Sequence, residues 1–147
     1  MINNFRGKYE FLSNFYSAEI TIDSITYPTG EHAFQAMKVM DRGIQLAVSK
    51  APEPMDAKRM GSRRYMEKHG IKIREDWDDI RVLIMRGIVY LKFCKHPDLL
   101  RQLIETGNEE LVEGNWWNDT FWGVCGGIGE NHLGKILMEV RENLKLK

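Results

Sequence analysis

Glu31, Gln35 and Lys38 recur at helical spacing and are the first candidates for chemistry. In the run EHAFQAMKVMD they fall on one face, with Ala33, Met37 and Met40 on the other, toward the core. Such a polar face is either solvated or the wall of a cleft. In a cleft, Glu31 serves as base or acid, and Lys38 binds an anion or acts as an amine nucleophile. A second constellation lies in Glu113 to Gly134, EGNWWNDTFWGVCGGIGENHLG. It packs Trp116, Trp117, Phe121 and Trp122 around Asp119, and three of the four tryptophans fall within seven residues. Flat rings beside an acid suit a flat ligand such as a nucleobase, and an acid among indoles is a candidate proton donor. The glycine-rich stretch then leads into a helix start, where backbone N–H groups can face a phosphate. The plainer reading is a loop whose rings plug the core and whose carboxylate caps a turn.

Two further sets qualify. Trp77 opens a long apolar helix; it is either a core ring or one wall of a base site, because an aromatic face stacks on any base. Lys58, Arg59, Arg63 and Arg64 in AKRMGSRR are dense for a neutral chain. They read as a solvated helix face or as a phosphate clamp, for which arginine forks are suited. Metal chemistry has little support: His32, His69, His96 and His132 are scattered and no CxxC occurs. GVCGGIGENHLG fits neither a Walker loop nor a dinucleotide fingerprint. No metal or organic cofactor is expected.

These residues need elements to hold them. Residues 9–12 and 18–27 read as short strands, the latter a hairpin turning at Asp23-Ser24. Thr29 or Gly30 caps a helix over 31–41. A short helix over 43–50 stops at Pro52 and Pro54, and 56–66 holds a helical turn interrupted by Gly61. The longest helix spans 77–94, apolar over most of its circumference and therefore central to the core. Pro97 starts another helix that Gly107 closes, ELVEG is a short strand, and Asn131 caps a final helix over 132–145. The elements sum to α+β, a predominantly helical single domain over 1–147 with a small antiparallel sheet.

Lys plus Arg and Asp plus Glu are 21 each, so net charge is zero. That excludes a general polyanion binder while leaving room for a small basic pocket. Cys94 and Cys125 show no pairing pattern, and the opening MINNFRGKYEFL lacks the apolar core of a signal peptide, so a cytoplasmic protein is expected. Ile80 to Phe93 is the most apolar segment. It is short and carries Arg81, Arg86 and Lys92, which makes it a buried helix and not a membrane span.

The segments FLSNFY (11–16), YPTGEHAFQAMK (27–38), AKRMGSR (57–63), WDDIRVLIMRGIVYLKF (77–93) and LVEGNWWNDTFWG…NHLGKILMEVR (111–141) resemble, in that order, the NADAR/YbiA-like family. The resemblance implies an α+β, largely helical fold and action on N-glycosidic bonds. One branch of that family hydrolyses phosphorylated ribosylamino-pyrimidine intermediates of riboflavin biosynthesis; another removes ADP-ribose from guanine bases in nucleic acid. It places the motif acid on Glu31, the helix lysine on Lys38, the tryptophans on Trp77 and Trp122, and the C-terminal acid on Asp119. With it, Glu31, Lys38 and Asp119 are the expected catalytic set. Asn14, Phe15, Gln35, Arg59, Arg63, Trp77, Trp117 and Trp122 are the expected substrate-binding set. Riboflavin-branch members carry a Ser-Pro-Asp element before the Trp-Gly pair, where this chain has GNWWND. That departure favours ADP-ribosylated guanine in DNA or RNA over the ribosylamino-pyrimidine, with a non-catalytic nucleotide-binding module as the third reading.

Overall fold

Alternating apolar residues fold the segment after Tyr16 into a hairpin. In the computed structural model, which describes residues 1–145, β1 (Ser17–Ile22) pairs antiparallel with β2 (Ile25–Thr29). Ile20 stands opposite Tyr27 and Ile22 opposite Ile25. Asp23 and Ser24 turn the chain at φ 50° and 68°, the left-handed pair that matches strand twist. Ala18, Ile20, Ile25 and Tyr27 are buried, while the hydroxyls of Thr21 and Thr26 meet at 2.9 Å on the exposed face.

Seven α-helices follow among the described residues: α1 (Gly30–Ala36), α2 (Arg42–Ser49), α3 (Pro54–Met60), α4 (Arg63–Lys68), α5 (Trp77–Lys95), α6 (Pro97–Glu105) and α7 (His132–Lys145). With the hairpin they make an α+β, predominantly helical fold whose antiparallel sheet is small. The chain forms two compact units. One is Ser17–Lys92; the other comprises residues 1–16 with those from Phe93 onward. No helix among the described residues is long and apolar enough to cross a membrane.

In the first unit α1 packs against the hairpin, α2 and α3, and every residue from Gly30 to Ala36 is buried. The helix is shorter than the 31–41 expected. Asp41 accepts from the N–H of Ile44 and starts α2, so the intervening residues form tight turns instead. Met40 consequently lies outside the helix, 73% exposed and not in the core. Pro54 does not merely stop α2. It occupies the first turn of α3, behind a reciprocal Glu53–Asp56 capping box. Gly61 and Ser62 then separate α3 from α4. The long α5 departs from the all-round apolar burial expected: Met85, Ile88, Val89, Lys92 and Phe93 are buried, but Leu83 is 62% exposed.

In the second unit, residues 9–12 lie in a 3-10 helix (Gly7–Leu12), not a strand. Phe11 and Leu12 are both buried, and a half-buried strand would point two neighbours to opposite faces. α6 packs on α7. ELVEG contributes a bridge from Leu111 to Ile2, and its Gly114 opens the next strand. The two-residue strands β3 (Gly114–Asn115) and β4 (Val124–Cys125) pair in parallel beyond it. Asn131 does not act as a side-chain cap. Its Oδ1 accepts from the N–H of Glu113 and its Nδ2 donates to the carbonyl of Leu111, tying the start of α7 to that strand. Gly134 completes the seam, because a Cβ there would lie 2.1 Å from the Leu111 carbonyl oxygen.

Candidate active site

The polar face of α1 is buried, not solvated. Glu31 is 9% exposed and Gln35 5%. Gln35 Nε2 donates to Glu31 Oε2 at 2.7 Å, one helical turn away. The helix that carries them is anchored at its start. Thr29 Oγ1 accepts from the backbone N–H of His32 and also meets His32 Nδ1 at 2.8 Å. His32 Nε2 lies 2.9 Å from the Ala51 carbonyl. A carbonyl only accepts, so Nε2 carries a proton and donates it to Ala51. Trp77, 8% exposed, packs on Phe34 from α5 with ring centroids 5.1 Å apart.

Lys38 sits just past α1, half-buried, with its Nζ donating to the Gly61 carbonyl at 2.9 Å and standing 5.8 Å from the centre of the Phe34 ring. Burial pushes its pKa below the ordinary 10.5. The charge of Glu31 works against that drop, and the cations Arg63, Arg81 and Lys58 add to it. An amine so placed gives up its proton more readily than a surface lysine and becomes a better nucleophile. The four cations of AKRMGSRR are divided between two helices. Lys58 and Arg63 act on Lys38, while Arg59 is paired with Asp56 at 3.0 Å, and Arg64 is exposed.

The aromatic segment lies in the second unit and forms a loop between β3 and β4. Asn115 ties it: Oδ1 accepts from the N–H of Asp119 and Nδ2 donates to the Asp119 carbonyl. Asp119 Oδ1 accepts from the N–H of Trp122 at 2.9 Å, the turn-capping role of the plainer reading. Trp116 and Trp117 are 68% and 47% exposed and meet edge to face, with the Arg6 guanidinium 4.6 Å from the centre of the Trp116 ring. Phe121 and Trp122 are half-buried and cluster with His132. The start of α7 does not present its N–H groups to a phosphate. Those of Asn131, His132 and Leu133 donate to the carbonyls of Gly123, Phe121 and Trp122. The glycines serve the turn instead, with Gly126 and Gly127 at φ 59° and 82°.

Residues 3–145 match the NADAR domain. The chain belongs to the NADAR family. It is similar to N-glycosidase YbiA of Escherichia coli, 37% identical over 140 residues that cover 95% of this chain and 84% of that protein. It is also similar to a riboflavin biosynthesis protein of Vibrio vulnificus, 44% identical over 136 residues. That match covers 92% of this chain and 35% of the relative, so the chain spans about a third of that protein's length. The NMR structure of Escherichia coli YbiA superposes with a TM-score of 0.83 at 34% identity, covering 99% of this chain and 88% of that one.

In this NADAR chain the unit Ser17–Lys92 brings together Glu31, Gln35, Lys38 and Arg63, and carries Trp77 on the Phe34 ring and Arg59 on Asp56. Asn14, Phe15, Trp117, Asp119 and Trp122 belong to the other unit. There Asn14 is buried and Phe15 is 36% exposed. Sequence reasoning missed three contributors. His32 stands in the same motif as Glu31, yet a lone histidine gives no sign of reaching Ala51. Arg81 follows Trp77 by one helical turn and was visible only as a charge inside an apolar run. Gly61 carries the carbonyl that holds Lys38, and a glycine between basic residues reads as a helix breaker.

Proposed function

We propose that this N-glycosyl hydrolase cleaves the C1–N bond of a phosphorylated ribosylamine, with Lys38 as its nucleophile and ADP-ribose joined to guanine in nucleic acid as its substrate. Its enzyme class is that of the N-glycosidases it matches over most of their length. One observation carries the reading: the Lys38 amine is half-buried on the Gly61 carbonyl, disfavoured as a cation, and feels the charge of the buried Glu31 that Gln35 holds.

The ribose ring opens as its C1–O bond breaks, C1 becomes doubly bonded to the base nitrogen, and the ring oxygen takes a proton. The neutral Lys38 amine adds to C1. The bond from C1 to the base nitrogen then breaks, and the base departs with a proton delivered by Glu31. Water adds to the remaining Lys38–C1 imine, returning the amine and releasing the sugar as its aldehyde. Glu31 carries protons through these steps, and Gln35 fixes the orientation of its carboxylate. Arg63 supplies positive charge for the phosphates. In the second unit, Asp119 Oδ2 makes no hydrogen bond among the described residues, and with Trp122 it forms a proposed base-recognition element. Asn14, Phe15 and Trp117 belong to the same proposed set.

A second substrate has its own support. The 44% identity to a riboflavin biosynthesis protein favours a phosphorylated ribosylamino-pyrimidine, which presents the same C1–N bond. The deciding experiment offers both compounds separately to the purified protein and follows products by mass spectrometry, with Glu31→Ala as control. Release of ADP-ribose from the modified oligonucleotide by the wild type alone supports the first. Release of ribose 5-phosphate from the pyrimidine, with the oligonucleotide intact, assigns the second. Tight binding without turnover of either overturns the enzymatic reading.

A further inference from the structure

Gly61 closes α3 with an ordinary helical backbone, φ −86° and ψ −2°, so no left-handed turn demands a glycine there. What demands it is proximity. A Cβ on residue 61 would lie 1.8 Å from Gln35 Oε1, 2.7 Å from Cδ and 2.9 Å from Cβ of the same side chain. Gln35 is only 5% exposed, and its amide is already committed through Nε2 to Glu31. Its Oε1 has no hydrogen-bond partner among the described residues, and the bare glycine surface lies against it. The carbonyl of the same residue accepts from Lys38 Nζ at 2.9 Å. One residue thus touches two members of the α1 face and, through Gln35, orients the third.

We infer that Gly61 is a positioning residue of the reaction: its missing side chain lets the α3–α4 junction press on Gln35, and its carbonyl aims the Lys38 amine. This rests on the reading of Lys38 as the nucleophile. The junction also delivers charge. Lys58 lies in the last turn of α3 and Arg63 begins α4, and with Arg81 of α5 and Glu31 of α1 these are the charged groups that act on Lys38. The glycine in AKRMGSR therefore sets the spacing at which two basic residues act on a third. The phosphate-clamp reading of that segment accounts for the cations but not for the glycine between them.

The latch is tested without activity by labelling glycine carbonyls with 13C. The Gly61 resonance, identified by 15N labelling of serine because Gly61-Ser62 is the one Gly-Ser pair in the sequence, is expected to shift below pH 10.5 as Lys38 titrates. That shift is expected to vanish in Lys38→Met. A Gly61 carbonyl indifferent to pH, or titrating equally in Lys38→Met, overturns the inference. The functional arm uses Gly61→Ala. The added methyl is expected to lower kcat about tenfold or more while KM stays within about threefold, since misplacement of a reacting group costs turnover before binding. Wild-type kcat in a folded Gly61→Ala protein overturns the positioning role. If that variant does not fold, the carbonyl titration in the wild type and Lys38→Met decides alone. Undiminished turnover in Lys38→Met sinks the nucleophile reading instead, and leaves the carbonyl titration to judge the latch.

Discussion

Lys38 holds its charge against its surroundings, and that has two consequences at the scale of the residue. The first is catalytic. A nucleophile must be neutral, so the rate should rise with pH as Lys38 loses its proton, along a limb lying below the ordinary 10.5. Lys38→Met should abolish that limb together with turnover, which a pH–rate profile checks. The second is thermodynamic. The folded pKa is lowered, so between it and 10.5 the unfolded chain binds more protons than the native one. Stability then rises with pH across that window. The wild type should therefore gain on Lys38→Met in melting temperature as pH climbs from neutrality toward 10.5, and a gap that stays constant would contradict the buried-lysine account. Glu31→Gln keeps the shape and the bond to Gln35 but not the proton traffic. It should lose roughly 10²–10⁴-fold in kcat with its melting temperature little changed.

Two elements carry stability predictions of their own. In the hairpin, Tyr27 is fully buried, and burial raises its pKa to about 12 with its hydroxyl unpartnered among the described residues. The folded state holds that proton more tightly than the unfolded chain, whose value is 10.0, so stability falls as pH rises from 10 to 12. Tyr27→Phe should remove this alkaline loss and cost little at neutral pH, as thermal melts across that range would show. At the start of α7, Asn131→Ala would strip two bonds and leave the Glu113 N–H and the Leu111 carbonyl unsatisfied. A loss of about 2–4 kcal/mol is expected, read as a lower urea midpoint at unchanged slope. Elements built from local pattern were legible in the sequence: the hairpin from its alternation, and α7 from the stripe Leu133, Ile136, Leu137, Val140 and Leu144. Elements decided by a rival or distant partner were not. α1 ends early because Asp41 caps a new helix, and the α7 N–H groups are spent on carbonyls of residues 121–123. Of the candidate site, Glu31, Gln35 and Lys38 were legible because one helical turn separates neighbours. Gly61 was not, because its contact with Gln35 spans a fold that spacing alone does not give.

For the whole molecule, 21 basic residues balance 21 acidic ones, so any hold on nucleic acid must be local. On a modified oligonucleotide, log kcat/KM should fall against log salt with a slope of magnitude about 2 or less, that of one or two phosphates. A much steeper dependence would mean that the chain tracks the backbone and that the target is read along a strand. The NADAR family match and the YbiA fold set the class of reaction, and the α1 face sets where in this chain it is expected to happen. The most direct test traps the imine. The protein is incubated with a guanine-ADP-ribosylated oligonucleotide, and in parallel with a phosphorylated ribosylamino-pyrimidine, in the presence of cyanoborohydride. It is then digested and mapped by mass spectrometry. The account predicts the sugar phosphate fixed to Lys38 from whichever substrate turns over, and no adduct in Lys38→Met. Continued turnover with no adduct on Lys38, matched by Lys38→Met, would contradict it.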